Sequence, residues 1–301
     1  LDQFEAAAGA IFGEGQAGVS FPAMPLITGK QTVPDRMIGC WIRRYIQFSD
    51  GTRDTTTRVI WVQTASGMAD MRIGADRPAL RHRARLADCS DTELLALAHQ
   101  DCSCATTILD ESTTPYPTAT WPRGTYGFAN QPVQTFPEPG WFAWREAGDC
   151  MMEWAPSGAY EEDWRLQPHS LGLAIHLVRV ERAPTTCLYI AGDYAILARD
   201  RSGEVEEKKP LPQLVAARLQ AVAPAVTLLD GEFAFAQRRS EQNYEIQLSS
   251  LPWSEGTRID LSWAVTTSED GAHRTDPDGH VWSVESLWSS HSGISPLTAG
   301  V

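Results

Sequence analysis

The chain has 301 residues, 43% hydrophobic and 21% charged, the balance of a globular protein rather than a disordered one, and its length suits two domains of about 100 to 150 residues each. Its 25 Lys and Arg against 38 Asp and Glu give a formal charge of −13, which repels phosphate backbones and anionic lipid, so nucleic acid is excluded as an expected partner. No run approaches the roughly 20 apolar residues of a membrane helix and no basic-then-apolar leader opens the sequence, so a cytoplasmic protein without a membrane partner is expected.

Residues 1–35 are rich in Ala, Gly and Pro, with a weak helical pattern at 3–11, and read as an arm. The run 40–48, Cys40-Trp41-Ile42-Arg43-Arg44-Tyr45-Ile46-Gln47-Phe48, reads as a strand ending at the turn pair Asp50-Gly51. Strands at 55–64 and 69–73, joined around Ser66-Gly67, complete a meander. Ser90 and Glu93 form a capping box that opens a helix, with Leu94, Leu95, Leu97 and Ala98 as its buried stripe and an end near Gln100.

Residues 105–139 carry six prolines between Pro115 and Pro139 and read as loops, with a short strand at 126–130. Strands at 141–146, 150–154 and 160–166 follow. Beyond Pro168 the pattern repeats, with strands at 171–181, 187–190 and 194–199, a helix at 210–221, and strands at 226–229, 232–237, 244–248, 259–265 and 280–288. The expected fold is all-β with minor α: an arm (1–35) and two tandem barrel-like domains (36–167 and 168–301), each with a short helix. The six cysteines show no CxxC pair, which excludes a zinc ribbon or thioredoxin motif, and they read as reduced packing residues.

Several segments carry a family resemblance: Gly39 to Tyr45 with Asp50-Gly51, Val59-Ile60-Trp61-Val62-Gln63-Thr64, Ala69-Asp70-Met71-Arg72-Ile73 before Arg77-Pro78, and Asp91 to Gln100. Glu153 followed by Tyr160, Glu162 and Trp164 completes the set. In order and spacing these resemble the paired lipocalin-like proteins of the yeast Hri type and their uncharacterised bacterial relatives. The resemblance covers 36–167, and beyond that it rests on strand order, most clearly at 187–200. It implies two lipocalin- or calycin-like barrels and supplies no catalytic residues, so function must come from the site.

A period of two in 160–166 puts Tyr160, Glu162, Trp164 and Leu166 on one face. A carboxylate facing a barrel interior resists ionisation, which suits Glu162 to general acid or base work; the competing reading pairs it with an arginine that closes the barrel end. In 40–48 two registries stay open: Trp41, Arg43, Tyr45 and Gln47 inward, or Ile42, Ile46 and Phe48 inward. Glu153 is a second candidate carboxylate with a rim position as its expected place, and Asp70 with Arg72 reads as an exposed pair. His176 reads as a buried ring donor or, more sharply, as a haem ligand.

The expected function is binding of a small apolar or aromatic molecule against Trp41, Trp61, Trp144 and Trp164, with Glu153 and His176 as further lining residues. The expected chemistry is that of a lyase, isomerase or hydratase, with Glu162 as acid or base and Tyr160, Tyr45 or Arg43 polarising the substrate. Absence of a GxSxG elbow and of a phosphate loop argues against serine catalysis and a nucleotide cofactor, and no metal triad is evident. Three alternatives stay open: a carrier, a haem-binding barrel, or an interaction protein with solid barrels that works through 112–139. A homodimer is also left open.

Overall fold

The computed structural model describes residues 31–134, 137–145, 148–181, 183–203, 205, 208–221, 224–240, 243–265 and 272–289. The expected helix at 3–11 and most of the arm lie outside them.

The first sheet runs through β1 (Gly39–Phe48), β2 (Arg53–Asp54), β3 (Arg58–Gln63), β4 (Gly67–Ile73), β5 (Asp101–Thr106), β6 (Ile108–Asp110), β7 (Thr118–Thr120), β8 (Phe128–Ala129), β9 (Gly140–Arg145), β10 (Cys150–Trp154) and β11 (Tyr160–Leu166). Its order is β6-β7-β9-β10-β11-β1-β3-β4-β5-β8, with β2 paired to β1. The second sheet contains β12 (Leu173–Arg179), β13 (Thr186–Ala191), β14 (Tyr194–Arg199), β15 (Glu232–Arg238), β16 (Asn243–Ser249), β17 (Arg258–Asp260), β18 (His273–Thr275) and β19 (Val281–Ser289), in the order β17-β16-β15-β14-β13-β12-β19-β18. All pairings are antiparallel, and each sheet curls into an open half-barrel whose end strands do not pair among the described residues. This is a calycin-like arrangement in general form rather than a pair of closed barrels.

Three apolar layers result. Trp41, Trp61, Trp164 and Phe142 fill the interior of the first sheet, while Leu188, Ile190, Tyr244 and Trp282 fill that of the second. Between the sheets, Cys40, Val62, Met71, Cys102 and Cys104 pack against Cys187, Tyr189, Ile196, Phe233 and Leu248. Gly67 permits the closest approach: a Cβ there would stand 2.5 Å from His176 Nδ1 and 2.9 Å from Tyr189 Cε1. The described cysteines are free, and five of the six are buried, as packing residues should be.

Helix α1 (Asp91–Ala98) starts at Ser90, whose Oγ accepts from Glu93 N at 3.3 Å while Glu93 Oε2 accepts from Ser90 N at 2.7 Å. Losing such a cap costs about 1 kcal/mol. Leu94 and Leu97 of α1 meet Leu211, Leu214 and Val215 of α2 (Leu211–Gln220), with Leu228 and Leu229 beside them. Each leucine so buried contributes about 1.5–3 kcal/mol.

That contact explains one departure from the sequence reading. Residues 226–228 form a 3₁₀ turn rather than a strand, because Leu228 and Leu229 point into the helix layer. Likewise 259–265 divides: β17 ends at Asp260, whose Oδ1 accepts from Ser262 N at 2.8 Å, and a single helical turn, α3 (Ser262–Val265), buries Ala264 beside Leu261. Strand β5 escaped the reading altogether because its inward residues toward the second sheet, Cys102 and Cys104, are small.

Candidate functional site

Strict alternation in β10 and β11 sets two acids side by side. Glu153 and Glu162 are direct partners in the ladder, so both side chains project from the same face of the sheet, into the first half-barrel. Glu162 is 1% exposed and Glu153 4%, which replaces the expected rim position of Glu153 with an interior one. On its other side Glu153 faces Phe142, itself fully buried. Burial, reinforced by the charge of Glu162, pushes the Glu153 carboxyl up from 4.5 to about 8. The Tyr160 hydroxyl donates to Glu153 Oε1 at 3.2 Å, and burial next to Glu153 raises that phenol as well.

Glu162 has a different environment. Its Oε1 accepts from Arg43 Nη1 at 2.6 Å and from Arg72 Nη1 at 3.2 Å, while its Oε2 is buried without a partner among the described residues. Arg43 also donates to Asp54 Oδ2 at 3.2 Å. A β-bulge between Arg43 and Tyr45 explains why two registries of this strand looked equally good. Trp41 opposes Leu166, Arg43 opposes Trp164 and Ile46 opposes Glu162, so Trp41, Arg43 and Ile46 all face inward. Beyond the bulge Tyr45 opposes Asp163 on the outer face, and its hydroxyl donates to Glu161 Oε1 at 3.2 Å. The structure therefore brings Arg43 and Tyr160 to the acid pair and leaves Tyr45 away from it.

Asp70 and Arg72 are not the exposed pair expected. Asp70 is 6% exposed and takes Arg72 in a fork, Nε to Oδ1 at 3.0 Å and Nη2 to Oδ2 at 3.3 Å. Burial raises the Asp70 carboxyl, and Arg72 opposes that rise. With its remaining nitrogen on Glu162, Arg72 links the two acidic groups.

Above these residues lies a cavity of about 350 Å³. Trp61, Trp121, Met68 and Val133 supply its apolar wall, and Glu153, Tyr160, Asp70, Arg72, Asp101 and Arg123 its polar one. Trp61 and Trp121 meet edge to face at 6.2 Å and 70°. Of the four tryptophans singled out in the sequence, Trp61 lines the cavity. Trp41 and Trp164 are fully buried in the core around it, the Trp41 indole donating to Met37 O at 2.8 Å. Trp144 packs on the same core with the Arg36 guanidinium 4.4 Å above its ring.

His176 belongs elsewhere. It stands between the two sheets, stacked on Tyr189 at 4.4 Å and 15°, with neither ring nitrogen partnered among the described residues. Burial lowers it to about 3. In that position it does not reach the acid pair or the interior of either half-barrel.

A second titratable group was missed. Asp276, Asp278 and His280 place their ligand atoms within 4.8 Å of one another, a donor set that could take a cation. They share a turn in which Asp276 Oδ1 already accepts from the Asp278 and His280 backbone, and His280 Nδ1 pairs with Glu181 at 2.7 Å. The alternation Asp-x-Asp-x-His was its visible signal. Trp121 and Arg123 had none, because they sit among prolines where no periodicity applies.

No family model matches the chain, and no curated protein matches it. Among solved structures, the crystal structure of the uncharacterized protein YLR301w from Saccharomyces cerevisiae is similar to it with a TM-score of 0.50 at 10% identity. That match covers 83% of this chain and 99% of the yeast one. The likeness is one of fold, a similar two-domain architecture.

Proposed function

We propose that the first half-barrel binds a small, largely apolar or aromatic molecule and transfers a proton to or from it through Glu153, as a lyase, isomerase or hydratase without a nucleotide cofactor. The observation that carries this reading is the asymmetry of the acid pair. Glu162 is neutralised by Arg43 and Arg72, whereas Glu153 has a phenol for its partner and forms part of the cavity wall. A carboxyl with a raised pKa is a competent proton donor near neutral pH. Glu162, held behind it, acts as a positioning charge rather than the acid itself. Kinship with the paired lipocalin-like family, and a division into two tandem domains near Pro168, are part of the same proposal and are supported by the two successive half-barrels.

Glu153→Gln tests the assignment: turnover of a substrate found by screening should vanish while its affinity changes little. Unchanged turnover overturns it. A carrier function uses the same Trp61 and Trp121 wall without chemistry, and is favoured if ligands bind and no turnover accompanies them in the wild type.

A further inference from the structure

Two charged residues of the cavity wall are left without contacts of their own. Asp101 and Arg123 both line it, and among the described residues neither side chain makes a hydrogen bond or an ion pair. The other arginine of the wall, Arg72, is committed to Asp70 and Glu162. Asp101 opposes Arg72 across the β4–β5 ladder, and it feels the fields of both Arg72 and Arg123. Arg123 in turn acts on Asp200, just after β14, without touching it. The cavity lining therefore holds one anion and one cation without side-chain partners, together with the apolar surface of Trp61, Trp121 and Met68.

This arrangement selects among ligands by desolvation. A neutral molecule filling the cavity strips water from the half-buried Asp101 and from the cavity side of the exposed Arg123 and returns nothing to either; a singly charged one leaves one of them unpaired. A ligand with adjacent groups of both signs compensates both, while its side chain occupies the indole wall. A volume of about 350 Å³ lies at the small end of the roughly 300–1,000 Å³ of small-molecule pockets. We infer that the natural ligand is a zwitterion of the α-amino acid type with an aromatic or bulky apolar side chain, its carboxylate on Arg123 and its ammonium on Asp101. This rests on the cavity being a ligand site, as proposed above.

Calorimetric titration of the full chain with four related probes tests it: L-phenylalanine, 3-phenylpropanoate, phenethylamine and 3-phenylpropanamide. L-Phenylalanine should bind at least about tenfold tighter than each of the others. Arg123→Gln should erase its advantage over phenethylamine, and Asp101→Asn its advantage over 3-phenylpropanoate. If the uncharged amide binds the wild type as tightly as L-phenylalanine does, the zwitterion assignment is overturned and the cavity reading stands. If no probe binds, both are overturned. The Arg123 side chain is exposed and has no hydrogen bond or ion pair among the described residues, so its substitution does not threaten the fold.

Discussion

Glu153 and Glu162 are directly opposed across neighbouring strands at 4% and 1% exposure, and among the described residues only Glu162 touches a cation. Two acids so close resist sharing two negative charges, and the arginines decide which one keeps its charge. The pair is thereby divided into a fixed anion and a proton-bearing group at the cavity wall, a division made by Arg43 from β1 and Arg72 from β4.

Glu162→Gln removes the anion that raises Glu153 and leaves the opposing field of Arg72 in place. The Glu153 carboxyl should then fall from about 8 toward the ordinary carboxylate range, visible as an acid shift of its side-chain carbon resonance in a carbon-13 titration. Stability should drop, because the buried Arg43 loses the carboxylate of Glu162 and keeps only the half-buried Asp54. A Glu153 titration unmoved by the substitution would show that burial alone sets its pKa.

The same group makes stability depend on pH with a definite sign. The folded value lies above the ordinary one, so the folded protein holds more protons than the unfolded chain between 4.5 and about 8. Its contribution is complete below 4.5, declines by about 1.4 kcal/mol per pH unit through that interval, and is lost above about 8. Glu153→Gln should abolish this decline in urea unfolding measured across the range.

Gly140 precedes Phe142 on β9, and a Cβ at that position would meet Trp121 Cη2 at 2.8 Å, Phe142 Cε2 at 2.9 Å and Glu153 Oε1 at 3.0 Å. Gly140→Ala should therefore cost about 1–3 kcal/mol by overpacking. It should also displace the Trp121 ring and the Glu153 carboxyl, seen as a change in indole fluorescence together with weaker ligand binding. An unchanged emission spectrum and affinity would mean that the two side chains yield without consequence.

Much of this site was legible in the sequence wherever alternation was strict. The run 160–166 assigned Glu162 and Tyr160 to one face, and β11 has that face inward. Where backbone irregularity intervenes, a period of two misleads: the bulge after Arg43 turns Tyr45 outward while keeping Ile46 inward, a change that no pattern of residue types announces. Asp70 and Arg72 have the right parity, yet an Asp-x-Arg pair is ordinarily a surface feature. Their burial depends on β5 and on the loop bearing Trp121 and Arg123, both invisible to periodicity. The layered packing of the two sheets, which buries Cys104 and Cys187 together, is likewise a tertiary fact.

His176 supplies a pH dependence opposite to that of Glu153. Burial holds its ring at about 3 against an ordinary 6.5, so between those values the unfolded chain binds the extra proton. Its contribution is complete above 6.5 and is lost, again by about 1.4 kcal/mol per pH unit, as the pH falls toward 3. From 4.5 to 6.5 the two residues oppose each other, and the wild-type contribution from this pair should be nearly flat there, with the Glu153 decline emerging above 6.5. His176→Phe keeps a planar ring against Tyr189 and removes two unpartnered buried nitrogens, so the fold should tolerate it. The variant should gain stability relative to wild type on acidification from 6.5 and show the Glu153 slope uninterrupted from 4.5 to about 8. Unfolding curves of wild type, His176→Phe, Glu153→Gln and the double variant across this range check the additivity, and parallel pH profiles for wild type and His176→Phe would refute the His176 contribution.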